Sequence, residues 1–177
     1  RNAMIHLAHS ENVFNKYKLA VLIKETAFQE KAIREYYALP LVALGIKAED
    51  TISLSLKFNS NNKAPVSLIR AALDTLLRAC NKWGVTTLLC NDASYFKTLT
   101  GHRTAEPWHG YIQPCNIKGY AHISVILGVN HQSLFFKPEL QTKIDMSLQT
   151  VADHIQNNYT ELGQNIIHFA KYGATSE

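Results

Sequence analysis

Short apolar runs alternate with longer stretches of helical period along this chain. Residues Lys18 to Glu25, KLAVLIKE, make a compact apolar run closed by charge, as a buried strand does. In FQEKAIREYYALPLVALG, Phe28, Ala32, Ile33, Tyr36 and Tyr37 recur at helical spacing until Pro40, which is expected to disrupt the helix. Thr51 to Phe58, TISLSLKF, alternates Ile52, Leu54, Leu56 and Phe58 with polar residues, the two-residue period of a strand with one more polar face. After the loop NSNNKAP, Pro65 suits the first turn of a helix, and Ile69, Leu73, Leu76, Leu77 and Cys80 line one face until Gly84 ends the pattern. VTTLLCND reads as a third strand, ASYFKTLTG as a short helix closed by Gly101, and HISVILG as a fourth strand. The last long helix starts at Pro138, with Leu140, Ile144, Leu148, Val151 and Ile155 drawing a single stripe.

Strands separated by helices require crossover connections, so the pattern predicts an α/β fold. The expectation is a three-layer α/β/α sandwich around a mainly parallel four-stranded sheet, ordered second, first, third, fourth. GYIQPCNIKGY reads as an added edge hairpin with Gly119 in its turn. At 177 residues with 46% hydrophobic content, the chain suits one domain with a full core. Residues 1–3 read as an expression-vector remnant, leaving residues 4–177 as one domain, expected to be the N-terminal part of a longer chain.

Composition narrows the chemistry. No run approaches the ~20 apolar residues of a spanning helix, so no membrane partner is expected, and the chain reads as soluble and intracellular. Cys80, Cys90 and Cys115 form no C-x-x-C pair and lie within apolar patterns, so neither disulfides nor a cysteine-held metal is expected. No cofactor is expected either, because both the G-x-G-x-x-G and the G-x-x-x-x-G-K-[ST] phosphate cradles are missing. The formal net charge of +4 tolerates an acidic partner such as nucleic acid without demanding one.

In open parallel sheets functional groups gather at the carboxyl ends of the strands. Those exits carry Glu25-Thr26-Ala27, Asn59-Ser60-Asn61-Asn62, Asn91-Asp92 and Asn130-His131-Gln132-Ser133. The order LIKETAFQE, DASYFKTLTG, NHQSLFFKPE resembles the uracil-DNA glycosylase superfamily, with its G-E-x-P-G type first motif, G-x-x-A-x-x-x-L-x-G helix and H-P-S type last motif. Leu99 and Gly101 match the helix motif, whereas Asp92, Tyr95 and Gln132 depart from it and from the last motif. The resemblance implies that His131 donates to the uracil oxygen as the glycosidic bond breaks and that Glu25 handles water. It further implies Leu134 or Phe135 as a wedge, Ser133 near a phosphate, and Tyr36 or Phe28 as an aromatic wall.

Lys24, Thr26, Ala27 and Phe28 put side chains where the family has glycine and proline, which crowds the implied pocket. The usual second-strand asparagine is missing from SLSLKF, and Asn59 is the nearest candidate. YFKTLTG, GYIQPC and LFFKPELQTKID are together similar to the glycosylase-like N-terminal region of some bacteriophage or prophage family-A DNA polymerases. That likeness implies an accessory DNA-binding module with lost or vestigial base excision. Its partners would be DNA and the exonuclease and polymerase regions downstream, in the cytoplasm of a bacterial host. An active uracil-DNA glycosylase is the alternative, and a small-molecule or nucleotide-binding α/β enzyme a third.

Lys97, Arg103 and Lys137, with His102 and Lys63, form either a phosphate-binding rim or ordinary solvated charge. Asp92 reads first as a helix cap. Phe135-Phe136 reads as a staple packing the loop onto the last helix in preference to a wedge, and Trp108 either anchors its loop or stands exposed to DNA.

Overall fold

The computed structural model describes residues 3–58 and 64–157. Its sheet has six strands: β1 (Ala3–Ala8), β2 (Leu19–Leu22), β3 (Thr51–Lys57), β4 (Thr87–Cys90), β5 (Ile112–Pro114) and β6 (Ser124–Leu127), in the order β1-β3-β2-β4-β6-β5. The four inner strands are parallel and follow the expected order. The expectation of a four-stranded, mainly parallel sheet is corrected at both edges. β1 runs antiparallel to β3 with Ala3 opposite Lys57, and β5 runs antiparallel to β6 with Ile112 opposite Ile126.

The two edges differ from the expectation for physical reasons: β1 has no clear strand pattern, and β5 belongs to the expected edge hairpin. β1 mixes Met4, Ile5 and Leu7 with His6 and is only partly covered, as an antiparallel edge strand is. β5 has three residues and ends in Pro114, which an edge position tolerates because one row of N–H groups has no ladder to join. The edge hairpin expected around GYIQPCNIKGY forms with β6 as its second arm. The Cys115 N–H donates to Ile123 O at 2.9 Å, and Gly119 turns the chain at φ +95°.

Side chains on the inner strands alternate between two apolar clusters. Ala20, Leu22, Ile52, Leu54, Leu56, Leu88, Cys90, Val125 and Leu127 pack with α3 (Val66–Trp83) and α4 (Ala93–Thr100). Leu19, Val21, Leu89 and Ile126 point the other way, toward Ile33, Tyr37, Leu41 and α5 (Gln141–Gln156). The period of two thus divides the apolar side chains of the sheet between two clusters, each shared with helical residues. All three cysteines are free and buried, and burial pushes the Cys80 thiol up to about 12.

Pro40 does not break its helix. α1 (Glu30–Ile33) runs into a π-helical turn (Arg34–Ala38) and then α2 (Leu39–Ala43), with Leu39 N–H donating to Arg34 O, five residues back. Proline has no N–H to offer Tyr36 O, and its ring crowds that carbonyl, so widening the preceding turn keeps the helix continuous. α4 is closed as its sequence predicts. The Asp92 carboxylate accepts the Tyr95 N–H at 3.0 Å, and Gly101 caps the end at φ +79°.

Phe96 is completely buried between α4 and the sheet. Phe96→Ala is expected to lower unfolding stability by about 3–5 kcal/mol, because the cavity adds to the lost transfer energy. Urea titration followed by circular dichroism checks the loss.

Candidate nucleic-acid interface at the strand exits

Parallel pairing puts the ends of β2, β3, β4 and β6 on one edge of the sheet. After β6 the chain enters a 3₁₀ turn, His131–Phe135, capped by the Asn130 side chain, which accepts the Gln132 N–H at 2.9 Å. A three-residue repeat sorts this turn's side chains between two clefts. Asn130 and Ser133 face one of about 500 Å³, while His131, Gln132, Leu134 and Phe135 face one of about 390 Å³.

The smaller cleft is organised by tyrosines. The Tyr37 hydroxyl donates to Val129 O at 2.7 Å and accepts the His131 backbone N–H at 2.9 Å, with His131 Nδ1 at 3.4 Å from the same oxygen. Tyr36 stacks on the His131 ring at 4.9 Å and 14°, and Tyr37 meets it edge-on at 5.7 Å. The π turn presents both consecutive tyrosines to one histidine, and π turns recur at functional sites. Burial holds the His131 imidazole below its usual value of 6.5, favouring the neutral ring, and pushes the Tyr37 phenol well up. Gln132 Nε2 donates to Thr26 O at 3.1 Å, tying this turn to the exit of β2.

The larger cleft lies between the exits of β4 and β6, lined by Asn91, Lys97, Arg103, His109, Gly128 and Lys143 among others. Buried Asn91 donates to Leu22 O at 3.1 Å, and its Oδ1 lies where a Cβ on Gly128 would fall 2.0 Å away, so only glycine fits. Glu106 pairs with Lys143 and, at 3.9 Å, approaches His109; the hydrogen bond from Lys143 holds the Glu106 carboxyl below its ordinary range. Burial lowers His109, with Lys143 adding to the effect. Lys97 and Arg103 form no ion pair among the described residues and also line a neighbouring groove of about 810 Å³ with Arg70, Ser67 and His102. Trp108, half-buried, stacks on His102 at 4.0 Å and anchors this wall.

The expected site residues separate into groups. His131, Leu134 and Phe135 share the smaller cleft, and Ser133, Lys97 and Arg103 share the larger. Glu25 is half-buried in a 3₁₀ turn, lines neither cleft, and acts electrostatically on Tyr95. Lys137 is exposed beside Phe136. Asn59 and Lys63 lie outside the described residues. The packing expectation for Phe135-Phe136 is corrected: they are 90% and 88% exposed, because the tight turn leaves only Leu134 of the apolar trio against the core. Sequence reasoning treated Tyr37 as packing; its bulky neighbour Tyr36 and the proline three positions on were the signal for its distorted turn.

Among the described residues no cluster of three or more metal-ligating side chains occurs, and no helix is long and apolar enough to cross a membrane. Compared with known proteins, the chain matches no family model, and no curated sequence is significantly similar to it.

Tyr37→Phe removes the partner of a buried N–H and of a buried carbonyl. It is expected to cost about 2 kcal/mol in urea unfolding while leaving the far-ultraviolet spectrum unchanged. Acid acts on the same region. His131 and His109 are depressed in the folded chain, so the unfolded chain binds their protons first as pH falls. Their contribution is fully present above 6.5 and lost as pH drops through the depressed folded values. The urea midpoint is expected to be lower at about pH 5.5 than at about pH 7.5.

Proposed function

We propose that this chain is a DNA-gripping module with a glycosylase-like, three-layer α/β/α arrangement, serving as an accessory to a phage-type family-A DNA polymerase, with base excision lost or vestigial. The observation that carries the reading is the exposed Phe135-Phe136 pair at the strand exits, flanked by Lys137, on the same 3₁₀ turn whose Ser133 lines the second cleft with Lys97 and Arg103, both unpaired among the described residues. Aromatic faces stack on bases, and unpaired cations replace the counterions of phosphates. The two together suit a nucleic-acid strand better than a small apolar ligand. The polymerase setting rests on the sequence resemblance alone.

Loss of excision is supported by the parting of the two implied catalytic groups. His131 lines the smaller cleft between Tyr36 and Tyr37, whereas Glu25 lines neither cleft. Gln132, bonded to Thr26 O, fastens the turn after β6 to the turn after β2. Placing a water for attack on a bound base depends on the spacing of those two turns.

Titration of labelled single-stranded and duplex DNA at two ionic strengths tests the grip. Binding is expected to be weak and to fall with salt. The Lys97→Ala/Arg103→Ala double variant is expected to reduce the salt slope by about two, one for each phosphate that no longer meets a cation. Salt-independent binding, or none at low salt, moves the function to protein contacts. Release of free uracil from oligonucleotides tests the chemistry: turnover abolished by both His131→Ala and Glu25→Gln would establish an active glycosylase instead.

A further inference from the structure

His131 has two ring nitrogens and, held neutral by burial, one ring proton. Its location follows from the hydrogen-bond count around Tyr37. The phenol has a single proton, and the 2.7 Å contact to Val129 O, an acceptor only, claims it. The Tyr37 oxygen therefore offers only lone pairs to its remaining neighbours. One is the His131 backbone N–H at 2.9 Å, and the other is His131 Nδ1 at 3.4 Å. A bare Nδ1 there would set lone pair against lone pair in a buried place, whereas a protonated Nδ1 makes a weak hydrogen bond. Nε2 is then the bare nitrogen. It has no hydrogen bond among the described residues, is not an enclosed atom, and belongs to a ring lining the 390 Å³ cleft.

We propose that His131 serves this cleft as a hydrogen-bond acceptor through Nε2, so that the cleft receives an unpaired nucleobase by an N–H on its edge and holds it without cleaving it. This rests on the DNA-gripping reading and names the part of DNA that is gripped. The chemistry runs opposite to that of a group stabilising a leaving anion. An oxyanion needs a donor, and a bare Nε2 repels it. An imide N–H or an exocyclic amine needs an acceptor, and Nε2 supplies one. The rest of the cleft suits a flat, half-apolar guest, since Tyr36, Leu134 and the exposed Phe135 line it with Ala27 and Ala32. No charged side chain lines it, and burial is the sole cause of the lowered His131 value.

Two measurements on the whole chain test this. Heteronuclear NMR of the imidazole nitrogens is expected to place the His131 proton on Nδ1 at neutral pH, and Tyr37→Phe, which removes the directing oxygen, is expected to shift it toward Nε2. A proton on Nε2 in the unaltered protein overturns the proposal. The second measurement compares oligonucleotides carrying one unpaired thymine, the same base with its imide N–H methylated, and an abasic position. Methylation is expected to weaken binding about five- to tenfold, the worth of one hydrogen bond left unmade, and His131→Ala to erase the difference. Salt-sensitive binding indifferent to the methyl group overturns base reading and leaves the DNA-gripping function standing. Failure of every oligonucleotide to bind at low salt overturns both.

Discussion

A single phenolic hydroxyl holds the functional edge of this fold together. Tyr37 lies more than ninety positions before Val129 and His131, yet its oxygen serves the carbonyl of one and the N–H of the other. Those two backbone groups belong to the chain just leaving β6, where the parallel ladder has run out of partners. Left buried and unpaired, each would cost on the order of 1–3 kcal/mol, so the hydroxyl stabilises the departure of the chain from the sheet. The direction of that departure decides which side chains of the 3₁₀ turn face which cleft. Tyr37 reaches this place because its helix widens by one residue ahead of Pro40. A proline that cannot donate is thus the remote cause of the geometry around His131.

The parallel centre was legible because β2, β4 and β6 read as apolar runs and β3 as an alternating strand, although the face of β3 expected to be more polar is buried as well, with Ser53 and Ser55 fully covered. α3 and α4 were legible through period and punctuation together: Gly84 and Gly101 close them with positive φ, and Asp92 opens α4 with a side-chain bond. The edges were legible only in part. A strand half-covered by neighbours, such as β1, has no strong pattern to offer, and three residues of β5 are too few for any period. Pro40 misled for a different reason. A rule about lost hydrogen bonds predicts a break, but a π turn satisfies the same constraint by rerouting one bond to the residue five back.

The site was legible as a location and only partly as an arrangement. Reading the residues beyond each strand found His131, Ser133, Lys97 and Arg103, because topology alone brings exits of parallel strands to one edge. It did not find the division of labour. Whether the trio Leu134-Phe135-Phe136 packs or protrudes depends on the pitch of a short turn; three residues per turn allow one of three neighbours to face the core. Likewise Glu25 follows a strand as expected, but of its 3₁₀ turn it is Ala27, not Glu25, that lines the cleft.

The proposed function asks this edge to hold a ligand and not to react with it. A reacting site gains from a poised proton donor, a carboxylate within reach of water, and loops free to admit the substrate. Here the histidine's ring is clamped by two aromatic neighbours, and Gln132 closes the first loop onto the last through Thr26 O. Each of these bonds lowers the freedom that a catalytic cycle would need and raises the rigidity that a binding surface exploits, since a preformed surface loses less entropy when its ligand arrives. The exposed phenylalanines complete that logic. Two large apolar side chains held in water cost the free chain solvation energy, and a surface that repays it must cover them. On the proposed reading, a base stack would cover the aromatic rings while the adjoining phosphates reach Lys137 beside them and the cations of the neighbouring cleft.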